Sequence, residues 1–310
     1  MSSSDQDHIA VVGAGLMGCG IAQVFLAAGH SVSLYDPYPE ALAKAAPGIR
    51  ANLQSIGESQ ACLAQLTLCE HIGDAVGKAA FVFEAGPEKL ELKQRIFAQL
   101  DAAAPAAAVL ASNTSVIPIT DIASKLPPGR QAHVVGTHWW NPPYLVPLVE
   151  VVRTVQLSET AFDRTMALLR KVGKKPVEVK KDVPGFVGNR LQHALWREAF
   201  AIVHAGICDA QTVDEVVKNS FGMRLPVLGP LENAELVGLD LTLDIHKVVL
   251  PHLDASGGPS PLLDSLVSSG LLGVKTGEGL RRWSEDDAQA VRQRVATHLQ
   301  RMLFERGAET

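Results

Sequence analysis

The first 180 residues of the chain alternate between short apolar runs and longer stretches with a single apolar stripe. Runs rich in β-branched residues predict buried strands, and striped stretches predict helices. The predicted strands are residues 9–12, 31–35, 80–84, 107–112, 132–138, 148–152 and 176–179, and the predicted helices are 21–28, 89–100 and 160–171. This alternation predicts a parallel sheet with helices on both faces, which is a doubly wound α/β fold.

The pattern changes after the segment Asp182-Val183-Pro184-Gly185. From there the periodicity is helical throughout, and the predicted helices are 188–205, 212–219, 231–249, 261–268 and 286–306. A Pro-Gly pair is typical of a boundary between elements. We therefore predict two domains, a doubly wound domain over residues 1–183 and an all-helical C-terminal domain over residues 184–310.

A glycine-rich loop lies between the first predicted strand and the first predicted helix. It reads G-x-G-x-x-G, and the second predicted strand ends on Asp36. In a Rossmann-type fold such glycines permit a tight turn, approach of the backbone to a pyrophosphate and close helix packing. An acidic residue about twenty positions further on can bind a ribose 2′-OH and would repel a 2′-phosphate. The cofactor is therefore predicted to be NAD, with binding residues Gly13, Gly15, Leu16, Met17, Gly18 and Asp36.

Composition and charge exclude several other classes of partner. The chain has 310 residues, 47% of them hydrophobic and 20% charged, and a formal net charge of −5. Without a basic stripe, this charge argues against nucleic acid or an anionic membrane as partner. The four cysteines show no metal-ligand spacing, and the polar N-terminus does not resemble a signal peptide. A soluble cytoplasmic protein with reduced cysteines is expected. Cys19, in the phosphate-loop helix, could have a lowered pKa, but burial of its thiol is favoured.

The candidate reacting group is His138, at the end of a predicted strand. Glu150 lies twelve residues later in an otherwise apolar strand, where a carboxylate is costly to bury unless it is paired. A carboxylate that orients an imidazole fixes its tautomer and raises its basicity. Such a pair suits removal of a proton from an alcohol while hydride leaves to a nicotinamide. Taken alone, His138 could equally be a structural histidine and Glu150 part of an ion pair at a strand edge.

Four motifs in the same order resemble the 3-hydroxyacyl-CoA dehydrogenase family over residues 8–285. They are Ser112-Asn113-Thr114-Ser115, His138-x-x-Asn141-Pro142 followed by Leu148–Val152, Asp182-x-Pro184-Gly185-Phe186-Val187-x-Asn189-Arg190, and Lys275-Thr276-Gly277-Glu278-Gly279. The resemblance implies an NAD-dependent dehydrogenase of fatty acid metabolism that oxidises a 3-hydroxy group. It also implies a homodimer, formed through the helical domain.

The resemblance also implies roles for individual residues. His138 is expected to be the catalytic base and Glu150 the carboxylate that orients it. Ser115 and Asn189 are expected to hold the substrate oxygen, and Asn141 to support the pocket beside the histidine. Hydroxyl and amide donors can stabilise a developing charge on oxygen. Further contacts to the cofactor are implied for Glu88, Lys93 and Asn113.

The chain departs from the acyl-CoA members of the family in two places. Trp139 and Trp140 stand where two phenylalanines are usual, and the following proline is doubled at Pro142-Pro143. Residues 44–68 are poor in lysine, whereas lysines there would suit the 3′-phosphate of CoA. The first feature resembles relatives that act on free hydroxy acids or ring alcohols, of the gulonate 3-dehydrogenase (lambda-crystallin), carnitine or pyridine-carboxylate type. The second argues against a CoA thioester without excluding one. The substrate is thus expected to be a small acyl-CoA or hydroxy acid.

Two other classes of protein fit the sequence less well. The β-hydroxyacid dehydrogenases related to 6-phosphogluconate dehydrogenase use a lysine four residues before an asparagine, but here that position is Gly185. A non-catalytic NAD-binding protein would not need both His138 and Glu150. The sequence therefore favours an enzyme.

Overall fold

The structure is a computed structural model and describes residues 6–308. Most of the polar N-terminal segment considered above, residues 1–5, lies outside the described residues. The chain divides into two compact units, one of Met1–Asn189 with Thr297–Thr310 and one of Arg190–Ala296. No helix in the described part of the chain is long and apolar enough to cross a membrane.

One eight-stranded sheet forms the centre of the first unit within the described residues. Its strands are β1 (Ile9–Val12), β2 (Val32–Tyr35), β3 (Leu66–Cys69), β4 (Phe81–Glu84), β5 (Val109–Ser112), β6 (Val134–Trp139), β7 (Leu148–Val152) and β8 (Lys175–Val179). They are ordered β3-β2-β1-β4-β5-β6-β7-β8. The Rossmann-type fold predicted from the sequence is confirmed.

The prediction of a wholly parallel sheet is wrong at one place. β6 and β7 pair antiparallel, so β7 and β8 run against the other strands. Only residues 140–147 connect β6 to β7. A parallel crossover needs about a dozen residues or more, so this connection permits only a reversal of direction. The strand β3 was not predicted. Its sequence, LTLC, is short, and most of its residues are accessible to solvent, so it is not a continuous buried apolar run.

Helices cover both faces of the sheet. They are α1 (Leu16–Ala27), α2 (Pro39–Ser55), α3 (Ile72–Val76), α4 (Leu90–Ala103), α5 (Ile119–Ala123), α6 (Pro128–Gln131) and α7 (Glu159–Lys171). Alternate residues of a strand point to opposite faces. Accordingly Ile9 and Val11 of β1 belong to one apolar cluster, and Ala10 and Val12 to the other. Both sides of the sheet are therefore packed, and its strand ends are left for chemistry.

The remaining helices are α8 (Gly188–His204), α9 (Ala210–Lys218), α10 (Pro230–Val237), α11 (Leu239–Val249), α12 (Pro261–Ser268) and α13 (Glu285–Ala308). The single helix predicted over residues 231–249 is wrong, because α10 and α11 are separated at Gly238. This glycine has φ 109°, a conformation that glycine adopts readily and that cannot continue a helix. The all-helical character of this region is as predicted.

Candidate active site at the carboxyl edge of the sheet

The glycine-rich loop follows β1 and makes a tight turn. Gly13 has φ 110°, and a Cβ there would lie 2.7 Å from the carbonyl oxygen of Ala85. A Cβ on Gly18 would lie 1.7 Å from the carbonyl oxygen of Gly13. Both positions therefore require glycine. Gly13 is needed for its backbone conformation and its close contact with Ala85, and Gly18 for the packing of α1 on the loop.

The N-terminus of α1 is open to a ligand. No side chain caps it, and nothing lies within 4 Å of a Cβ built on Gly15. Leu16, the first residue of the helix, is 66% exposed. Free N–H groups at a helix N-terminus, with open space before them, form a site for a phosphate group. These residues fit the pyrophosphate of NAD.

Asp36 connects the end of β2 to the glycine loop. Its carboxylate accepts hydrogen bonds from the N–H groups of Ala14 (2.7 Å) and Tyr38 (2.9 Å). A cavity of about 590 Å³ lies beside it, lined by Ala14, Tyr38, Pro39, Glu40, Ala41 and Lys44. The carboxylate is thus held where a ribose would follow the pyrophosphate. The exposed ring of Tyr38 is a further candidate contact that the sequence reasoning missed, although an aromatic residue two positions after the acid could have signalled it.

A buried ion pair lies beneath the ends of β4 and β5. The ammonium of Lys93 donates to both carboxylate oxygens of Glu84, at 2.8 and 2.9 Å, and both side chains are almost fully buried. Glu84 also accepts from the hydroxyl of Ser112 (2.6 Å) and the N–H of Gly86 (2.7 Å). The sequence placed Glu84 only at a strand end. The structure makes it the partner of Lys93.

Glu88 organises the loop that follows β5. It accepts hydrogen bonds from the Thr114 hydroxyl (2.5 Å) and from the N–H groups of Ser115 and Val116 (each 3.0 Å). Burial raises the pKa of Glu88, but these hydrogen bonds and nearby Lys93 outweigh it and hold the pKa below its ordinary value. Glu88 therefore remains a carboxylate that fixes the loop.

The loop also connects to the first turn of α8. The amide of Asn189 donates to the carbonyl oxygen of Ser115 (2.8 Å), and the side chain of Asn113 accepts from the N–H of Trp139 (2.9 Å). The Ser115 hydroxyl has no hydrogen-bond partner within residues 6–308. The structure thus brings Ser115 and Asn189 together and leaves the hydroxyl free for a ligand.

His138 and Glu150 are directly opposite each other on β6 and β7. Nδ1 of His138 lies 2.7 Å from Oε2 of Glu150, and both residues are buried. The other oxygen of Glu150 accepts from the N–H groups of Val187 (2.9 Å) and Gly188 (3.0 Å), where α8 begins. One carboxylate therefore binds the imidazole and a helix N-terminus together.

The ionisation of Glu150 fixes the tautomer of His138. Burial raises the pKa of Glu150, but hydrogen bonds from His138, Gly188 and Val187 outweigh it and place the pKa below its ordinary value. An ionised carboxylate can only accept hydrogen bonds. Nδ1 of His138 is therefore the protonated nitrogen, and Nε2, which has no partner among the described residues, can accept a proton.

The two tryptophans after His138 differ in environment. Trp139 is 2% exposed and packs against Phe25 and Phe83, whereas Trp140 is half-buried and lies against the His138 ring, with centroids 5.1 Å apart. Asn141 is exposed, and its side chain makes no hydrogen bond within the described part of the chain. Its predicted role in supporting the pocket stays a prediction.

Lys174 holds the segment that follows the tryptophans. Its ammonium donates to the carbonyl oxygens of Pro143 and Val146, the latter at 3.0 Å. Burial lowers the pKa of Lys174 to about 8. Pro143 also packs on Gly20 of α1, where a Cβ would lie 2.8 Å from its Cδ. This anchor could not be predicted from the sequence, since a lysine in a turn usually faces solvent.

These groups share one edge of the sheet, because the strands β1, β2, β4, β5 and β6 run in the same direction. Ligands of doubly wound sheets bind beyond the carboxyl ends of the strands. No cluster of potential metal ligands is present among the described residues. The edge can bind a dinucleotide and present Nε2 of His138 as a proton acceptor.

Comparison with family models agrees with this arrangement. Residues 8–183 match the NAD binding domain of 3-hydroxyacyl-CoA dehydrogenase, and residues 185–283 match its C-terminal domain.

Individual relatives act on different substrates. L-carnitine dehydrogenase of Streptomyces griseus is 41% identical over 76% of this chain and 70% of its own. A solved NAD+-dependent 5-formyl-3-hydroxy-2-methylpyridine 4-carboxylic acid 5-dehydrogenase has TM-score 0.89 and 30% identity, over 96% of this chain and 97% of its own. The (S)-3-hydroxybutyryl-CoA dehydrogenase of Ralstonia eutropha has TM-score 0.75 and 31% identity, over 91% of this chain and 100% of its own.

Proposed function

The chain belongs to the 3-hydroxyacyl-CoA dehydrogenase family, and from that premise we propose that it oxidises the 3-hydroxy group of a small hydroxy acid, free or as its CoA thioester, with NAD. The observation that carries the proposal is the 2.7 Å contact of His138 with Glu150 at the edge that also bears the glycine loop. We take residues 1–183 as the cofactor-binding domain and 184–310 as the helical domain.

The glycine loop and Asp36 hold the cofactor in this proposal. The free N–H groups at the start of α1 bind the pyrophosphate, and Leu16 and Met17 shape that turn. Asp36 binds the ribose hydroxyls, while Asn113, Glu88 and Lys93 support the nicotinamide end. When bound, NAD supplies the acceptor for the hydride that leaves the carbinol carbon.

His138 removes the hydroxyl proton through Nε2. Nδ1 keeps its hydrogen bond to Glu150, so the imidazolium that forms is stabilised by a carboxylate that is already in place. The Ser115 hydroxyl and the Asn189 amide donate to the substrate oxygen as its bond order changes. Asn141 borders the same pocket. No part of this scheme requires a metal ion.

The free acid is the better supported form of the substrate. The free-carboxylate enzyme gives TM-score 0.89, against 0.75 for the CoA enzyme, and the relative with 41% identity is a carnitine dehydrogenase. On α2 the exposed cations are Lys44 and Arg50, which offer little grip on the 3′-phosphate of CoA. A place in fatty acid metabolism would follow only from the CoA form.

A panel of substrates tests the proposal. Reduction of NAD is followed by NADH absorbance with 3-hydroxybutyrate, 3-hydroxybutyryl-CoA, carnitine and gulonate, with NADP as the matched control cofactor. We expect turnover with NAD and a free acid. Binding of NAD without turnover on any alcohol would instead support a non-catalytic NAD-binding protein.

We also propose that the protein is a homodimer. Large apolar side chains of α11 are exposed on several sides of the helix: Leu239, Leu241, Leu243, Ile245, Val248 and Val249. Exposed apolar surface of this extent marks an interface. Light scattering should give twice the chain mass, and Val248→Glu should lower it toward that of one chain. A monomeric wild type would contradict this proposal alone.

A cytoplasmic location is proposed from the cysteines. All four are free, and burial raises the pKa of Cys19 to about 11. The Cys19 thiol is therefore un-ionised and unreactive, as expected for a buried cysteine, and its pKa is not lowered by the phosphate-loop helix. Labelling of thiols in cell lysate under non-reducing conditions should find all four cysteines reduced.

A further inference from the structure

The indole of Trp140 occupies the space beside the backbone of Gly188. A Cβ built on Gly188 would lie 2.4 Å from Cζ2 of Trp140, 3.2 Å from Cη2 and 3.3 Å from Cε2. Gly188 is not among the glycines with positive φ. The indole edge, rather than the backbone conformation, is therefore what excludes a side chain at position 188.

The same two residues contact the two members of the proton-accepting pair. The N–H of Gly188 donates to Oε1 of Glu150, and the Trp140 ring lies against that of His138. His138 and Glu150 bind each other through Nδ1 and Oε2. The four residues thus form a closed ring of contacts. We propose that Trp140 and Gly188 are a size-matched pair of positioning residues that fixes the His138–Glu150 pair, an inference that rests on the proposed function of His138.

The geometry explains why the fit matters. Oε1 and Oε2 belong to one rigid carboxylate, so a shift of the first turn of α8 also moves the oxygen that holds Nδ1. A displacement of about 1 Å at a reacting group can lower a rate by about 100-fold. The contact of Trp140 with Gly188 sets the position of that turn.

The indole of Trp140 carries an unpaired donor. Its Nε1 is buried and has no hydrogen-bond partner within residues 6–308. A buried donor without a partner costs about 1–3 kcal/mol, which a phenylalanine would avoid. Among the described residues, Trp140 therefore acts on position 188 through the shape of its indole edge and not through a hydrogen bond.

The test is a double-mutant cycle of Gly188→Ala and Trp140→Phe, because phenylalanine removes the edge that meets position 188. Gly188→Ala alone should lower kcat by about 100-fold. In the Trp140→Phe background the same change should cost much less, so that the double variant is more active than Gly188→Ala. The NAD affinity should be equal in all variants, since the glycine loop is untouched.

Gly129→Ala is the matched control, because nothing lies within 4 Å of a Cβ at position 129 and its φ is not positive. It should behave as wild type. Circular dichroism and Tm verify that every variant is folded. Alanine is a better helix former than glycine, so propensity alone would favour Gly188→Ala.

A spectroscopic readout needs no substrate. The proton between Nδ1 of His138 and Glu150 should give a low-field proton resonance in the wild type. We expect it to shift or broaden in Gly188→Ala and to return in the double variant. A merely structural role for Trp140 would change Tm but not this resonance.

Two results would overturn the inference. One is an equal cost of Gly188→Ala in both backgrounds, and the other is an unchanged low-field resonance in Gly188→Ala. Failure of the proposed function is distinguishable, because then the wild type itself shows no turnover while the resonance still reports on the pair.

Discussion

Replacement of Glu150 by glutamine tests the coupling of His138 to α8. Glu150 accepts three hydrogen bonds, one from His138 and two from the N–H groups of Val187 and Gly188. Glutamine has one acceptor oxygen and one donating NH₂ group. In Glu150→Gln the NH₂ must therefore face either the imidazole or the start of α8, and one side loses its acceptor.

The expected effect is large on activity in one orientation of the amide and on stability in the other. If the NH₂ faces His138, the proton moves to Nε2, and Nε2 can no longer accept a proton from the substrate. A wrongly protonated base lowers kcat by about 10²- to 10⁴-fold. If it faces α8, two hydrogen bonds to a charged group are lost, each about 1.5–3 kcal/mol. Measurements of kcat with saturating NAD and of Tm separate the two orientations.

The control is Glu178→Gln on the neighbouring strand β8. Glu178 pairs with Arg153 at the surface, at 2.5 Å, and such a pair contributes about 0–1 kcal/mol. It should leave kcat unchanged. A Glu150→Gln variant with the kcat and Tm of wild type would show that Glu150 does not couple His138 to α8.

Acidification should remove the stabilisation by Glu150. Its pKa is below the ordinary 4.5 in the folded protein. A carboxyl group with a lowered folded pKa stabilises fully above its unfolded pKa, and the effect disappears as the pH falls through the folded value. The difference in stability between wild type and Glu150→Gln should therefore be constant above about pH 4.5 and shrink below it.

Two other changes give sharp outcomes. Asp36→Ala removes the acceptor of the Ala14 N–H and the charge that repels a 2′-phosphate. The ratio of kcat/KM for NAD to kcat/KM for NADP should therefore fall by at least about tenfold. A wild type that already prefers NADP would contradict this prediction. Lys174 has a pKa of about 8 against an ordinary 10.5, so the native state binds fewer protons than the unfolded state between these values. The stability of wild type relative to Lys174→Met should therefore rise by roughly 3 kcal/mol from pH 8 to 10.5 in urea titrations, and a flat difference would show that Lys174 is not buried.

The cofactor half of the site was predictable because its signals are local. Gly13, Gly18 and Asp36 are fixed by one strand–loop–helix–strand unit, in which sequence spacing determines position. The pairing of His138 with Glu150 was also predictable, since a buried carboxylate needs a partner. The antiparallel direction of β7 was not predicted, although the connection over residues 140–147 is too short for a parallel crossover.

The supporting contacts could not be predicted, because they join residues distant in sequence. Glu88 reaches the loop at Ser115 across 27 residues, and Lys174 reaches Pro143 across 31. Nothing in the spacing of these residues distinguishes them from solvated charges. The break at Gly238 was missed because apolar periodicity continues on both sides of it. Only tertiary packing decides such cases.

The most direct measurement is the single-turnover rate of NADH formation by His138→Gln, taken together with its calorimetric affinity for NAD. We expect an affinity equal to that of wild type and a rate lower by about 10²- to 10⁴-fold. A His138→Gln protein that forms NADH at the wild-type rate would contradict the assignment of His138 as the proton acceptor.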